Sequence, residues 1–273
     1  MINTVVAAVD GSSMSLVALQ YGAEIARRSG AWLRAVFVKD VKLLESGALA
    51  EPPARETIEA AVAAEAQEAL GRARDLVGRL GMALESDIRR GVVPLVLCEE
   101  AAEADLLTMG RWGEHALWST GLLGSAVECV VRKVGKPVLV ASGPYRAPRR
   151  VLVAYDGSEH AQHALRLGAH VAGLFRVPLA LLHVNPDQEE GMALLAKAER
   201  LAHANPPAGG GAPLEVRRLV HEGERAAEIA AEADEHTLTF MGAYGKSPMR
   251  ELILGSVTAQ VMRKARGPVV LCR

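Results

Sequence analysis

Met241-Gly242-Ala243-Tyr244-Gly245, followed after nine further residues by Gly255-Ser256-Val257-Thr258, decides how this chain is read, because a near-copy stands about 130 residues earlier. The copy runs Met109-Gly110-Arg111-Trp112-Gly113 and then Gly124-Ser125-Ala126-Val127, with ten rather than nine residues between its second and third glycines. Working outward, Thr4-Val5-Val6-Ala7-Ala8-Val9-Asp10-Gly11-Ser12 reappears as Arg150-Val151-Leu152-Val153-Ala154-Tyr155-Asp156-Gly157-Ser158. That offset of 146 holds through Val38 and Val184, whereas from Gly91 and Gly223 to Gly110 and Gly242 it is 132, so the first half carries 14 extra residues between. A period this long signals duplicated domains rather than a solenoid. The expected domains are 1–144 and 149–273.

Composition agrees with that division. A chain of 273 residues, 50% hydrophobic and 23% charged with a net charge of −1, suits two globular domains that each bury a core. It shows no basic excess to attract nucleic acid, and Arg146, Arg149 and Arg150 beside Pro144 and Pro148 read as a solvated linker. No apolar run approaches the ~20 residues of a membrane span, and the N-terminus lacks the charged start of a secretory signal, so no membrane partner and a cytoplasmic location are expected. The three cysteines, Cys98, Cys129 and Cys272, have no metal-type spacing and read as small core residues.

Each half opens with a continuous β-branched run, 4–9 and 151–155, that ends in Asp-Gly-Ser, as expected for a strand buried on both faces of a parallel sheet. Leu16, Leu19, Ala23 and Ala26, and likewise Ala161, Leu165, Gly168 and Ala172, recur at helical spacing after it. Further strands are expected at 32–38, 83–89, 105–109 and 137–141, and at 178–184, 214–220, 237–241 and 268–272. Between the second and third strands, Ile58, Val62, Ala66, Leu70, Ala73, Val77 and Leu80 trace one face of a long helix over 53–81, and a shorter counterpart is expected over 189–204. Pro206, Pro207 and the glycines at 209–211 mark a turn after it. The alternation predicts α/β architecture: two tandem Rossmann-like, doubly wound domains, each a five-stranded parallel sheet of order 3-2-1-4-5 with helices on both faces.

In such a sheet ligands bind beyond the carboxyl ends of the strands where the order reverses, between strands one and four. Asp156 ends the one and Gly242 follows the other. Gly242 and Gly245 leave room for a ligand and permit positive φ, and the N–H groups of Ser256, Val257 and Thr258 open a helix where an anion is favoured. The Ser256 and Thr258 hydroxyls would add donors. Asp156, and Asp10 in the first half, could accept a ribose hydroxyl or hold Mg²⁺ through water. Against this stands a plainer account, in which Ser125 and Ser256 are N-caps, the glycines are turns, and Asp10 and Asp156 cap the first helices. Gly245-Lys246-Ser247 is not a P-loop, since Phe240 occupies the position that needs glycine.

The pattern G-x-x-G, nine residues, G-[ST], after a first strand ending in Asp, resembles the ATP-binding class of universal stress proteins, and the resemblance covers the chain twice. It implies ATP, with Mg²⁺, in contact with Ala154, Tyr155, Asp156, Val184 through its backbone, Met241, Gly242, Tyr244, Gly245, Gly255, Ser256, Val257 and Thr258. In the first half the matching positions are Asp10, Val38, Met109, Gly110, Gly113, Gly124, Ser125, Ala126 and Val127. There Val127 replaces the hydroxyl of Thr258 and the loop is longer around 119–121, so a weaker first site is expected, by about 1.5–3 kcal/mol for one lost bond to a charged ligand. The resemblance further implies that the last strands of the two halves pair, giving an internal pseudo-dimer, with a homodimer of whole chains compatible with it.

His115 and Lys246 lie in the phosphate-side loops, where they either reach a γ-phosphate or are ordinary exposed polar residues. His183 reads as a hydrogen-bonded core histidine. Trp112 and Tyr244, between the paired glycines, cover a nucleotide or pack against neighbouring loops. No nucleophile, base and orienting group assemble in the sequence, so retention of adenine nucleotide with at most slow ATP hydrolysis is expected. An adenylyl-transferring enzyme would need a HIGH-type or SGGxDS sequence that the chain lacks. A nucleotide-free interaction scaffold of the same fold is the remaining alternative.

Overall fold

The computed structural model describes residues 2–41, 52–113, 124–204, 214–243 and 255–273, and the side chains of all of these except 52–55. The first half contains β1 (Thr4–Ala8), α1 (Ser13–Ser29), β2 (Trp32–Asp40), α2 (Pro52–Arg79), β3 (Glu85–Gly91), α3 (Val93–Ala102), β4 (Leu106–Gly110), α4 (Ser125–Lys133) and β5 (Val138–Ala141). The second contains β6 (Arg150–Ala154), α5 (Glu159–Phe175), β7 (Leu179–Val184), α6 (Gln188–His203), β8 (Val216–His221), α7 (Arg225–Glu232), β9 (Thr237–Gly242), α8 (Ser256–Lys264) and β10 (Val269–Cys272). The expected turn at 206–211 lies outside the described residues.

All ten strands form one sheet of order β3-β2-β1-β4-β5-β10-β9-β6-β7-β8. Within each half every pairing is parallel and the order is 3-2-1-4-5, as the alternation of elements predicts. The halves meet where Val269, Val270 and Leu271 pair antiparallel with Val140, Leu139 and Val138. Each of these short, fully buried strands covers what would otherwise be the other's open edge.

Burial on both faces follows from the strand composition. Side chains alternate along β1, so Val5 and Ala7 join one core while Val6 joins the other. The first core is closed by α1, α2, α5 and α6, and the second by α3, α4, α7 and α8. On α2 the apolar stripe does what its spacing implies: Val62, Ala66, Leu70, Ala73 and Val77 are buried.

Third-strand boundaries differ from expectation. β3 and β8 lie about two residues later than 83–89 and 214–220, because an edge strand extends as far as its partner does. β2 continues to Asp40, which pairs with Gly91, and Val184 pairs with His221. The linker reading also needs correction at one residue. Arg146 and Arg149 are exposed, but Arg150 opens β6 and is held by Glu232 at 2.8 Å and by the Thr237 hydroxyl at 2.9 Å. The connection itself is anchored, since the buried Tyr21 hydroxyl donates to the Arg146 carbonyl at 3.0 Å and accepts from its N–H at 3.1 Å. Tyr21 also packs on Tyr145 with ring centroids 4.8 Å apart.

All three cysteines are free thiols. Burial pushes the Cys272 thiol up to about 12, which fits an inert core residue.

Candidate functional site

The register brings the sequence-predicted residues to one end of the sheet. Ala154 pairs with Met241, so Tyr155 and Asp156 leave β6 beside the point where Gly242 closes β9. In the first half β1 and β4 are neighbours in the same way, and Asp10 meets the glycine loop directly. A Cβ added to Gly113 would lie 2.6 Å from Asp10 Oδ2. The convergence expected from strand order is therefore a contact between a carboxylate and the second glycine of the loop.

The aspartates do not cap α1 and α5. Ser12 and Ser158 do, accepting the N–H groups of Ser15 at 3.1 Å and Ala161 at 3.2 Å. Asp10 and Asp156 hold the preceding turn: Oδ1 of each accepts the N–H two residues on, Ser12 at 3.0 Å and Ser158 at 2.9 Å. Gly11 and Gly157 between them have φ of 87° and 80°, a left-handed conformation that needs glycine. Each carboxylate is thus fixed by one oxygen at the lip of the crevice.

The helix starts decide between capping serines and an anion site. Gly124 and Gly255 are the N-cap residues of α4 and α8, and neither has a side-chain cap. Ser125 and Ser256 are first-turn residues, so the plainer account of them as caps is incorrect. Among the described residues no side chain caps the first-turn N–H groups of Ser125, Ala126 and Val127, or of Ser256, Val257 and Thr258, whereas α1, α5, α6 and α7 are capped by Ser12, Ser158, Asp187 and Glu224. Uncapped N–H groups at the positive end of a helix dipole attract an anion.

Three further expectations change. The φ angles of Gly124 and Gly255 are −58° and −54°, and Gly242 is not among the glycines with positive φ, so none of the three makes a left-handed turn. Gly110 gives room to the protein itself: a Cβ there would lie 2.8 Å from Met14 Cβ and 2.9 Å from the Ser15 nitrogen. The Thr258 hydroxyl does not face a ligand. Thr258 is buried, and its Oγ1 donates to the carbonyls of Ala243 at 3.2 Å and Gly242 at 3.4 Å, fastening the loop to the helix.

At the adenine side, Val184 ends β7 and Val38 lies near the end of β2. His183 donates from Nδ1 to the Tyr155 carbonyl at 2.7 Å, since a carbonyl can only accept, which gives the hydrogen bond expected of it, although the residue is half-buried rather than in the core. Tyr244, Gly245, Lys246, His115 and the segment 119–121 lie outside the described residues.

The sequence profile of the Universal stress protein family matches residues 1–142 and again 148–273. The chain belongs to the universal stress protein family. A universal stress protein of Synechocystis is 28% identical over 284 aligned positions that cover 97% of both chains. One from Mycolicibacterium smegmatis is 29% identical over 213 positions, covering 71% of this chain and 70% of the relative. Among solved structures, a universal stress protein of Archaeoglobus fulgidus superposes with a TM-score of 0.76 at 22% identity, covering 99% of this chain and 96% of the other, which shows the fold. Two universal stress protein units in tandem thus account for the repeat.

Reading the sequence missed one residue of this tandem protein. Arg111, inside the first glycine loop, is buried, and its guanidinium crosses to the second half, donating to the carbonyls of Ala265 at 2.9 Å and Arg263 at 3.2 Å. Desolvation lowers its pKa to about 10, so it stays charged at neutral pH. The signal was present as an asymmetry, because the matching residue of the second loop is Ala243.

Proposed function

We propose that this universal stress protein binds adenine nucleotide, as Mg·ATP, in both halves, more tightly in the second, and acts as a cytoplasmic stress-response sensor or regulator with at most slow turnover. The observation that carries this is the pair of helix starts at Gly124 and Gly255, whose first-turn N–H groups lack side-chain caps and open beside the carboxylates of Asp10 and Asp156. Phosphates would lie on Ser256, Val257 and Thr258, the ribose on Asp156, and the base against Val184. Gly245 and Tyr244 complete that set by resemblance. Domains 1–144 and 149–273 would form an internal pseudo-dimer through β5 and β10.

The residues present fit a metal that arrives with the nucleotide better than one resident in the protein. Among the described residues no group of three His, Cys, Asp or Glu could hold a metal ion, and Asp10 and Asp156 each keep one oxygen in a turn. Mg²⁺ bound mainly by phosphates, with one carboxylate reaching it through water, suits that chemistry.

The first site should be weaker, for a reason other than a lost hydroxyl. Its loop is closed by the Gly124 N–H, which donates to the Arg111 carbonyl at 3.2 Å, whereas the matching Ala243 carbonyl receives the Thr258 hydroxyl at 3.2 Å. The first half therefore uses the N–H of its N-cap glycine, next to the anion site, to hold its own loop. Calorimetric titration of nucleotide-stripped protein with Mg·ATP tests the whole proposal. Two unequal sites are expected; one site would restrict binding to the second half, and no heat together with no shift in melting would favour the nucleotide-free scaffold.

A further inference from the structure

We infer that Arg111 couples the two sites, so that filling the first tightens the second. The inference rests on the nucleotide reading above and concerns how the two sites act on each other.

Arg111 is fixed at both ends to structures that matter. Its N–H donates to the Ala141 carbonyl at the end of β5, at 2.9 Å, and its own carbonyl accepts from Gly124, the residue that opens α4, at 3.2 Å. Its side chain ends on the last turn of α8, 152 and 154 residues away in sequence, and α8 is the helix whose first turn forms the second anion site. One residue therefore joins the start of the first phosphate helix to the end of the second.

The contact is also demanding. The guanidinium is buried, it lies 5.4 Å from the centre of the Trp112 ring, and among the described residues its Nε has no hydrogen-bond partner. A cation at a helix C-terminus is held by carbonyl dipoles that reward one geometry, so a shift of the Arg111 main chain cannot be absorbed without loosening α8. The matching residue of the second loop, Ala243, has no side chain that could reach across in this way. The end of α4 is held instead by Arg273, which donates to the Arg132 carbonyl at 3.0 Å and follows β10 rather than a glycine loop. A ligand at the start of α4 that fixes the Gly124–Arg111 contact fixes the end of α8 as well, and the second ligand then meets a helix with less freedom left to lose. Linkage makes the effect on affinity reciprocal.

The test is a double-mutant cycle read by calorimetry with Mg·ATP. Ser125→Asp places a carboxylate at the exposed first turn of α4, where it repels phosphate without touching Arg111. With Arg111 present, this change is expected to weaken binding at the second site about fivefold. In Arg111→Met, Ser125→Asp should leave the second site unchanged. Arg111→Lys, which keeps the charge but reaches one carbonyl rather than two, should reduce the coupling to about twofold and serves if the Met variant does not fold. Equal weakening by Ser125→Asp with and without Arg111 overturns the coupling, as does no weakening in either. Failure of the unsubstituted chain to bind any nucleotide overturns both the coupling and the reading beneath it, whereas two sites with an additive cycle overturn the coupling alone.

Discussion

Set side by side, the two halves solve the same local problem with different atoms. The carbonyl at the second position of each glycine loop must be satisfied. In the first half Arg111 presents it to the Gly124 N–H, and in the second Ala243 presents it to the Thr258 hydroxyl. The same divergence recurs at the strand ends, where His183 bonds the Tyr155 carbonyl while the matching Phe37 is a buried apolar residue. Over the turn after the first strand, Arg72 approaches Gly11 where Leu194 approaches Gly157. Duplication preserved the fold and the uncapped helix starts, and drift acted on what surrounds them. A first half that closes its loop with main chain and sends Arg111 across the interface is built to sense its neighbour. The second half closes its loop with a side chain, the Thr258 hydroxyl on the Ala243 carbonyl.

The largest test of this comparison is a glutamate at matching positions of the two halves, on α3 in the first and on α7 in the second. Glu100 is 3% exposed and meets Arg34 at 2.5 Å and Arg89 at 2.7 Å. Its counterpart Glu232 is 24% exposed at its side chain and meets Arg150 at 2.8 Å and His221 at 3.9 Å. Removing a buried partner leaves charges uncompensated, although the 41% exposed Arg89 can regain water. Glu100→Ala is expected to destabilise by about 3 kcal/mol and Glu232→Ala by about 1 kcal/mol, measured by urea denaturation of the full chain. Equal losses would mean that this pair of glutamates does not distinguish the halves.

How much of this was readable beforehand depends on how far apart the interacting residues lie. The repeat, the strand order and the helix stripes were legible because they are periodic, and periodicity is carried within single segments. The stripe from Val62 to Val77 and the paired Asp-Gly-Ser turns needed no tertiary knowledge. Direction within the sites was not legible. Thr258 and a phosphate-facing threonine have the same sequence, and only packing shows that the hydroxyl turns inward to Ala243. Gly110, the counterpart of Gly242, makes room for Met14, on a helix about a hundred residues earlier, which the sequence does not announce. Arg111 was hidden for the strongest reason, since an arginine in a glycine loop is ordinarily solvated and its partners lie in the other half.

An exchange of the two loop fasteners sharpens the comparison next. Thr258→Val gives the second half the residue of the first and leaves the Ala243 carbonyl without its hydroxyl donor. Loss of one net hydrogen bond is worth about 1 kcal/mol. Calorimetry should then show the second site weakened about threefold to tenfold, with the first site changed only through Arg111. The reverse change, Val127→Thr, offers the first loop a second donor for a carbonyl that Gly124 already satisfies, and should alter affinity by less than about twofold. If Val127→Thr instead strengthens the first site as much as Thr258→Val weakens the second, the hydroxyl acts on the nucleotide itself, and the inward geometry of Thr258 is not the bound geometry.

The smallest effect concerns acid stability, and it separates the halves by a single histidine on α5. Burial, the leading cause, lowers the His170 pKa below 6.5, and among the described residues its Nε2 is buried without a partner. The neutral ring is therefore preferred in the folded chain. On the acid side of 6.5 the unfolded chain takes up a proton that the folded chain resists, so stability rises with pH through that window and falls as pH drops through it. The first half has no counterpart, because the matching position in α1 is Glu24, which pairs with Arg27 at 3.1 Å. His170→Gln should lessen the difference in urea midpoint between pH 8 and about pH 5, while leaving the midpoint at pH 8 nearly unchanged. An unaltered pH difference would show that His170 is hydrated in solution.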